Sequence, residues 1–365
     1  MNILLQNVNI GKPWGWGGIE SHSDTLAAVL AEKGRKVIMG CWVSGSVRVA
    51  GGRMLPSRRI TVRNSGDLSA VLRMVLACRS EKIDVIIANG GREYWPAAIA
   101  AKLSGAGIIF IRHQTDRIRG TTRWLMNNHV NHVVAVSHAV KEALLSSGID
   151  ERKITVIPNS VPASRFNPAL VRRDEARTEL GIGSKDIVVG TVAKLHRGKG
   201  VYEVLGALAD LAGRYPLLKL LFVGDGPERD SLEQEARRMS VHDRVVFAGV
   251  RKDIERMYAA MDIFVLPSTC EEAFGMVLIE AMAMSRPVIG TAVGGIPDIV
   301  RHGTNGLLVQ PGDEAALASA IARYLDDPAF SSKMASEGLK TVEREFSDKV
   351  MGERFDDLFK RLGLL

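Results

Sequence analysis

Two carboxylates stand eight positions apart in Glu271-Glu272-Ala273-Phe274-Gly275-Met276-Val277-Leu278-Ile279-Glu280. On one unbroken helix that spacing is ~12 Å of rise, too far for both to grip one small group. If Gly275 breaks the chain and a helix starts near Met276, Glu272 lies on a loop and Glu280 about one turn inside the helix. Both can then face one crevice. The amides of Gly275, Met276 and Val277 become the unpaired donors of a helix start, a ready anion site. Amide donors for phosphate and two carboxylates for hydroxyl groups suit a sugar nucleotide. A solvated acidic loop capping a core helix is the competing reading.

Further groups could join this chemistry. Lys194 and Lys199 flank the basic loop Lys194-Leu195-His196-Arg197-Gly198-Lys199-Gly200. Two cations beside a pyrophosphate would stabilise charge developing on a leaving nucleotide. Gly17-Gly18 lies between a strand and a helix, where glycines allow close backbone approach to a ligand. A tight turn reads equally well there. Trp14 and Trp16, in the same loop, either contact an acceptor or membrane interface or pack inward. His113 closes the apolar run Ile108–Arg112, at a strand's C-terminal end. A contact to a reacting sugar and a structural hydrogen bond are both open to it. No Asp-x-Asp pair, no Ser-His-Asp elbow and no His/Cys cluster occurs, so no catalytic metal is expected.

Cys41, Cys78 and Cys270 have no metal-like spacing and fit free thiols in a reducing cytoplasm. Met1–Asn7 reads as a first strand and not as a signal peptide, and no apolar run is long enough for a transmembrane helix. The net charge of +7 is uneven: residues 1–165 hold 22 Lys+Arg against 11 Asp+Glu, and residues 166–365 hold 26 against 30. A basic first half suits an anionic membrane surface or a phosphorylated acceptor; ordinary solubilising charge is the alternative. With 5% aromatic residues and no groove-reading motif, nucleic acid is the weaker choice.

Elements must position these groups. At 365 residues with 46% apolar composition, the chain can fill two α/β cores. Strand and helix patterns alternate from Asn2–Ile10 through Ile19–Lys33, Lys36–Val43 and a short Ile60–Arg63 strand to Lys153–Pro158. Asn159–Lys185 reads as a linker with a short helix. The alternation then restarts at Ile187–Ala193 and ends in helices Glu314–Leu325 and Phe346–Leu362. Such alternation gives right-handed crossovers and parallel sheets. We expect two Rossmann-like doubly wound domains, 1–168 and 169–345, facing across a cleft, with the helix in 346–365 crossing back to the first.

Taken in order, Gly17-Gly18, Val136-Ser137, Ile157-Pro158-Asn159 with Phe166 after it, Lys194…Lys199-Gly200, Val223-Gly224-Asp225-Gly226-Pro227, Glu272-x7-Glu280 and Gly294-Gly295-Ile296-Pro297 resemble the large retaining glycosyltransferase family 4, of GT-B fold. The resemblance implies a nucleoside-diphosphate sugar, UDP- or GDP-linked, held mainly by the second domain as co-substrate, with no cofactor and no metal. Glu280 would bind the ribose hydroxyls and Glu272 the donor sugar, with the amides of Phe274, Gly275, Met276 and Val277 completing the site. Lys194 and Lys199 would bind the diphosphate beside Gly226, and Arg251 would lie near the base. Gly17 and Gly18 would approach the phosphate, and His113 the sugar. Glu272, His113 and Lys199 are then the catalytic candidates.

The first domain would hold a glycan or lipid-linked acceptor, such as lipopolysaccharide or exopolysaccharide, at the inner face of the cytoplasmic membrane. Lys194 stands where the family usually has Arg, and the fork of one differs from the point charge of the other. Ser160, Ser285-Arg286 and Asp298 also depart from the usual pattern. Two other functions compete: a glycoside hydrolase using Glu272 and Glu280 as acid and base, and a non-catalytic nucleotide- or glycan-binding protein of the same fold.

Overall fold

Runs of four to six consecutive apolar residues, such as Val85–Ala88 and Ile263–Leu266, are too short for helices and carry no polar face. They become parallel strands buried on both sides. The computed structural model describes residues 1–12 and 17–365, so the expected contacts of Trp14 and Trp16 lie outside the described residues. Contacts divide the chain into a first unit, Met1–Pro162 with Phe346–Leu365, and a second, Ala163–Glu345.

The first unit runs β1 (Asn2–Gln6), α1 (Gly18–Glu32), β2 (Lys36–Cys41), β3 (Gly45–Arg48), β4 (Met54–Arg59), α2 (Leu68–Glu81), β5 (Val85–Ala88), α3 (Tyr94–Ser104), β6 (Gly107–Arg112), α4 (Gly120–His129), β7 (His132–Ala135), α5 (His138–Ser146) and β8 (Ile154–Val156). Its sheet has the order β3-β4-β2-β1-β5-β6-β7-β8, parallel except for β3 against β4. The expected strand at Ile60–Arg63 does not form. The ladder ends at Arg59, and Ile60 and Val62 are buried in irregular chain. The apolar pair that suggested a strand is there to fill the core.

The second unit runs α6 (Arg173–Glu179), β9 (Ile187–Val192), α7 (Val201–Leu211), β10 (Leu218–Val223), α8 (Arg229–Arg238), β11 (Val245–Phe247), α9 (Ile254–Ala260), β12 (Ile263–Leu266), α10 (Met276–Ala283), β13 (Val288–Thr291), α11 (Ile296–Ile299), β14 (Leu307–Val309), α12 (Glu314–Asp326) and α13 (Pro328–Thr341). Its sheet is all parallel, in the order β11-β10-β9-β12-β13-β14. Leu205, Leu220, Phe222, Val265, Leu317 and Ile321 are all but solvent-free in its core. Each contributes about 1.5–3 kcal/mol by burial. The nearly buried Arg177 of α6 donates to the Ala260 carbonyl and to Asp262 at 2.6 Å, tying the unit's first helix to β12.

After α13 the chain rejoins the first unit. The Val161 amide donates to the Phe346 carbonyl at 3.0 Å. The last helix, α14 (Asp348–Arg361), then packs on α1, where Gly352 meets Val29 and Lys33. Asp356 pairs with Lys33 and Arg35 at 2.9 and 3.1 Å.

Candidate functional site

In the second unit the strand order reverses between β9 and β12, and ligands of such sheets bind beyond the strands' carboxyl ends at that point. The loops after β9, β10 and β12 meet there backbone to backbone. The amides of Thr269 and Cys270 donate to the Gly198 carbonyl at 3.1 and 3.2 Å. Gly200, at φ +68°, leaves no room for a side chain: a Cβ would stand 1.7 Å from the Pro267 carbonyl oxygen. A Cβ on Gly226 would lie 2.3 Å from the Leu195 carbonyl. The Gly295 amide donates to the Glu272 carbonyl at 2.7 Å, fastening the acidic loop from beneath.

This scaffold brings Lys199 and Glu272 together as an ion pair at 2.5 Å. Lys194 is exposed on the same loop, with no ion pair among the described residues. Gly275 sits at φ +104° and caps α10, so the chain does break where the acidic motif requires it. The helix therefore opens at Met276, whose amide and that of Val277 have no acceptor within the helix. Phe274 is buried beneath them.

Glu280, one turn in, is buried and accepts the Tyr258 hydroxyl at 2.7 Å. Burial pushes its carboxyl above the usual range, opposed by that hydrogen bond and by the charge of Arg165. Arg251 is not joined to this group. Its guanidinium is held by Glu179 at 2.6 Å and Asp253 at 2.7 Å.

In the first unit the order reverses between β1 and β5. Here the groups are buried and largely uncharged. His113, just past β6, lies 3.5 Å by Nε2 from the Asn89 side-chain oxygen and meets the His22 ring edge-on at 4.9 Å between centroids. Burial drives His113 well below the ordinary imidazole value, aided by His22 and Arg112, and lowers His22 to about 4. Both ring nitrogens of His22 lack a hydrogen-bond partner. Glu93 accepts the Val8 amide at 2.6 Å and the Gly90 amide at 3.2 Å, and burial raises it to about 7. Gly18 opens α1. The Gly17 amide is already taken by Glu20 of the same helix, at 2.9 Å.

The first half of the chain, residues 16–165, matches the family model described as Glycosyltransferase Family 4, and residues 172–341 match Glycosyl transferases group 1. The chain belongs to the group 1 glycosyltransferases of family 4. Among relatives of this glycosyltransferase is N-acetyl-alpha-D-glucosaminyl L-malate synthase of Bacillus anthracis, 28% identical over 80% of this chain and 78% of that protein. Another is a lipopolysaccharide core biosynthesis glycosyltransferase of Rhizobium meliloti, 32% identical over 58% of each chain. Anabaena HepE, solved with UDP and glucose, superposes with a TM-score of 0.82 at 25% identity, covering 99% of this chain and 100% of its own. The two doubly wound units are those of the GT-B fold.

Three side chains of this glycosyltransferase were not singled out from sequence: Tyr258, Arg165 and His22. Arg165 donates to Glu255 at 3.0 Å and to the Lys252 carbonyl, and its charge reaches Glu280. Its one sequence signal is its place beside Phe166, whose ring lies 6.2 Å from that of Tyr258. Tyr258 reads as core, and only the fold shows its hydroxyl on a carboxylate. Among the described residues no three His, Cys, Asp or Glu side chains gather in a set able to hold a metal ion.

Proposed function

We propose that this glycosyltransferase moves a sugar from a nucleoside-diphosphate sugar, with UDP the favoured nucleotide, to a lipid-linked or cell-surface glycan acceptor, retaining anomeric configuration and using no metal. The observation that carries the reading is the second unit's switch point. It holds a helix start at Met276 whose first amides have no acceptor within the helix, a Lys199–Glu272 pair and a buried Glu280 on three interlocked loops. HepE, bound to UDP and glucose, supports the choice of nucleotide. The Rhizobium relative supports a glycan acceptor.

In this scheme Glu280 receives ribose hydroxyls on the oxygen that Tyr258 leaves free. Glu272, held in place by Lys199, receives hydroxyls of the donor sugar. Lys194, Lys199 and the amides of Phe274, Gly275, Met276 and Val277 surround the diphosphate, with Gly226 close by. As the sugar–phosphate bond breaks, negative charge grows on the departing phosphate. Preorganised cations and amides stabilise that charge more than the ground state. Neutral His113 offers the sugar a hydrogen bond, and Gly17 and Gly18 are assigned to phosphate. Arg251 is assigned to the base, which requires it to leave Glu179 and Asp253.

No helix of the described residues is long and apolar enough to cross a membrane. Attachment at the inner membrane face is proposed from the basic first half, 22 Lys+Arg against 11 Asp+Glu in residues 1–165.

UDP at 100 times its dissociation constant adds about 2.7 kcal/mol and raises the melting temperature. Lys199→Ala and Glu280→Ala each lower transfer from a UDP-sugar about 100- to 1000-fold, with the circular dichroism spectrum unchanged. Full transfer by both variants would sink the assignment. Activity is undiminished by chelator, and NMR of the product shows the donor's anomeric configuration.

A further inference from the structure

The first unit holds a pocket of about 410 Å³ that the donor chemistry leaves unused. Five arginines line it, Arg63, Arg92, Arg112, Arg117 and Arg119, against a single carboxylate, Asp116. Arginines in a folded protein are ordinarily paired or spread over the surface, because like charges repel and a guanidinium is costly to desolvate. Here only Arg112 is paired, with Asp116 at 2.7 Å; among the described residues Arg63, Arg92, Arg117 and Arg119 form no ion pair.

Arg112 is 4% exposed and its Nε has no hydrogen-bond partner, although Asp116 and Gln114 hold the other nitrogens. A buried donor left unpaired and a net excess of forked cations around one concavity match an anion bearing several acceptor oxygens. Arg112 ends β6 and is followed by His113, so the pocket opens at the carboxyl edge of the sheet, where this fold class binds ligands. Beyond Ser65, which also lines the pocket, the exposed face of α2 carries Leu68, Leu72 and Leu76, and the neighbouring α3 exposes Ile99 and Leu103. Apolar side chains on adjacent helices beside a cationic pocket fit a phosphate carried on a lipid.

We propose that this arginine pocket binds a phosphoryl group of the acceptor, so that the acceptor is a phosphate ester. The proposal rests on the transferase reading and names the substrate class of its second site. A phosphate has two sources, a soluble phosphorylated sugar or alcohol and a lipid headgroup, and both present the same tetrahedral dianion or monoanion to the guanidinium forks.

The test uses the full chain with two probes: glycerol 3-phosphate in solution by calorimetry, and phosphatidylcholine vesicles with and without phosphatidylglycerol by co-sedimentation. The double variant Arg117→Ser/Arg119→Ser, in two exposed positions, is expected to weaken binding at least about tenfold. Its UDP-induced melting shift stays at the wild-type value, which shows that it is folded. Should the double variant lose that shift, Arg63→Ser is read in its place. Loss on glycerol 3-phosphate assigns a soluble phosphate ester, and loss on anionic vesicles alone assigns a lipid-borne one. Wild-type protein that binds neither probe, or a variant that binds as well as wild type, overturns the proposal and leaves the transferase reading intact. Wild-type protein that binds a probe but shows no UDP shift sinks the choice of UDP as donor nucleotide instead and leaves the phosphate pocket standing.

Discussion

Both units reverse strand order beside their first strand, yet they furnish that place in opposite ways. In the second unit the reversal point carries formal charge near water: Lys194, Lys199 and Glu272 on loops whose glycines leave no space between backbones. In the first it carries buried, mostly neutral groups: His113, His22 and Asn89, with a Glu93 that burial holds near neutrality. A diphosphate needs fixed positive charge, and loops can keep lysines there only by locking their own backbones. A sugar hydroxyl needs a hydrogen bond without competing charge, and burial supplies it by keeping imidazoles unprotonated. On the proposed function, one sheet plan would thus serve two chemistries through what its loops carry.

The comparison breaks hardest at Gly200. Gly200→Ala places a Cβ against the Pro267 carbonyl at positive φ, so the loops after β9 and β12 must part. We expect about 3 kcal/mol or more of lost stability, with the UDP-induced melting shift abolished. Unchanged UDP binding would show that the lysines do not depend on the interlocked loops.

His113→Ala tests the neutral side. It removes the hydrogen bond proposed between His113 and the reacting sugar and is expected to lower kcat about 10- to 100-fold, with UDP affinity kept. A change in UDP affinity with kcat unaltered would place His113 elsewhere.

The smallest effect is a pH dependence. His22 has a folded value of about 4 against an ordinary 6.5, so folding favours its neutral form. Its stabilising contribution is complete above about 6.5 and is lost as pH falls toward 4. Glu93, raised to about 7, acts with the opposite sign between its ordinary 4.5 and 7, so the informative quantity is the difference between variant and wild type. His22→Leu is expected to make the fall in stability between pH 6.5 and 4 shallower than in the wild type, read as a smaller drop in melting temperature across that window. Parallel curves would show that His22 is not buried neutral.

Much of this fold was legible because buried parallel strands write themselves as unbroken apolar runs. Val85–Ala88 and Ile263–Leu266 needed no tertiary knowledge. The β3–β4 hairpin was missed because Gly45–Arg48 and Met54–Arg59 alternate weakly, carry a proline and lie at a sheet edge. Helix α4 was missed for a related reason: Gly120–His129 is mostly polar and buries only Leu125 and Met126. At the site, the break at Gly275 could be foreseen from glycine's freedom at positive φ. The partners could not. Lys199 finds Glu272 across 73 positions and Tyr258 finds Glu280 across 22, and no local pattern announces either.

The bond from Val161 to Phe346 carries one more consequence. The chain leaves the first unit just after one of these residues and re-enters it at the other, so Ala163–Glu345 is an insertion whose two attachment points lie within one hydrogen bond of each other. Insertions with adjacent ends are the kind that can be excised and rejoined. Residues 163–345 are therefore a segment that can be excised as a free module, whose binding of nucleotide would test the proposed donor site by itself, and the remaining pieces can be closed into a single polypeptide by a linker of a few residues. Each half of the reaction's recognition could then be measured in the other's absence.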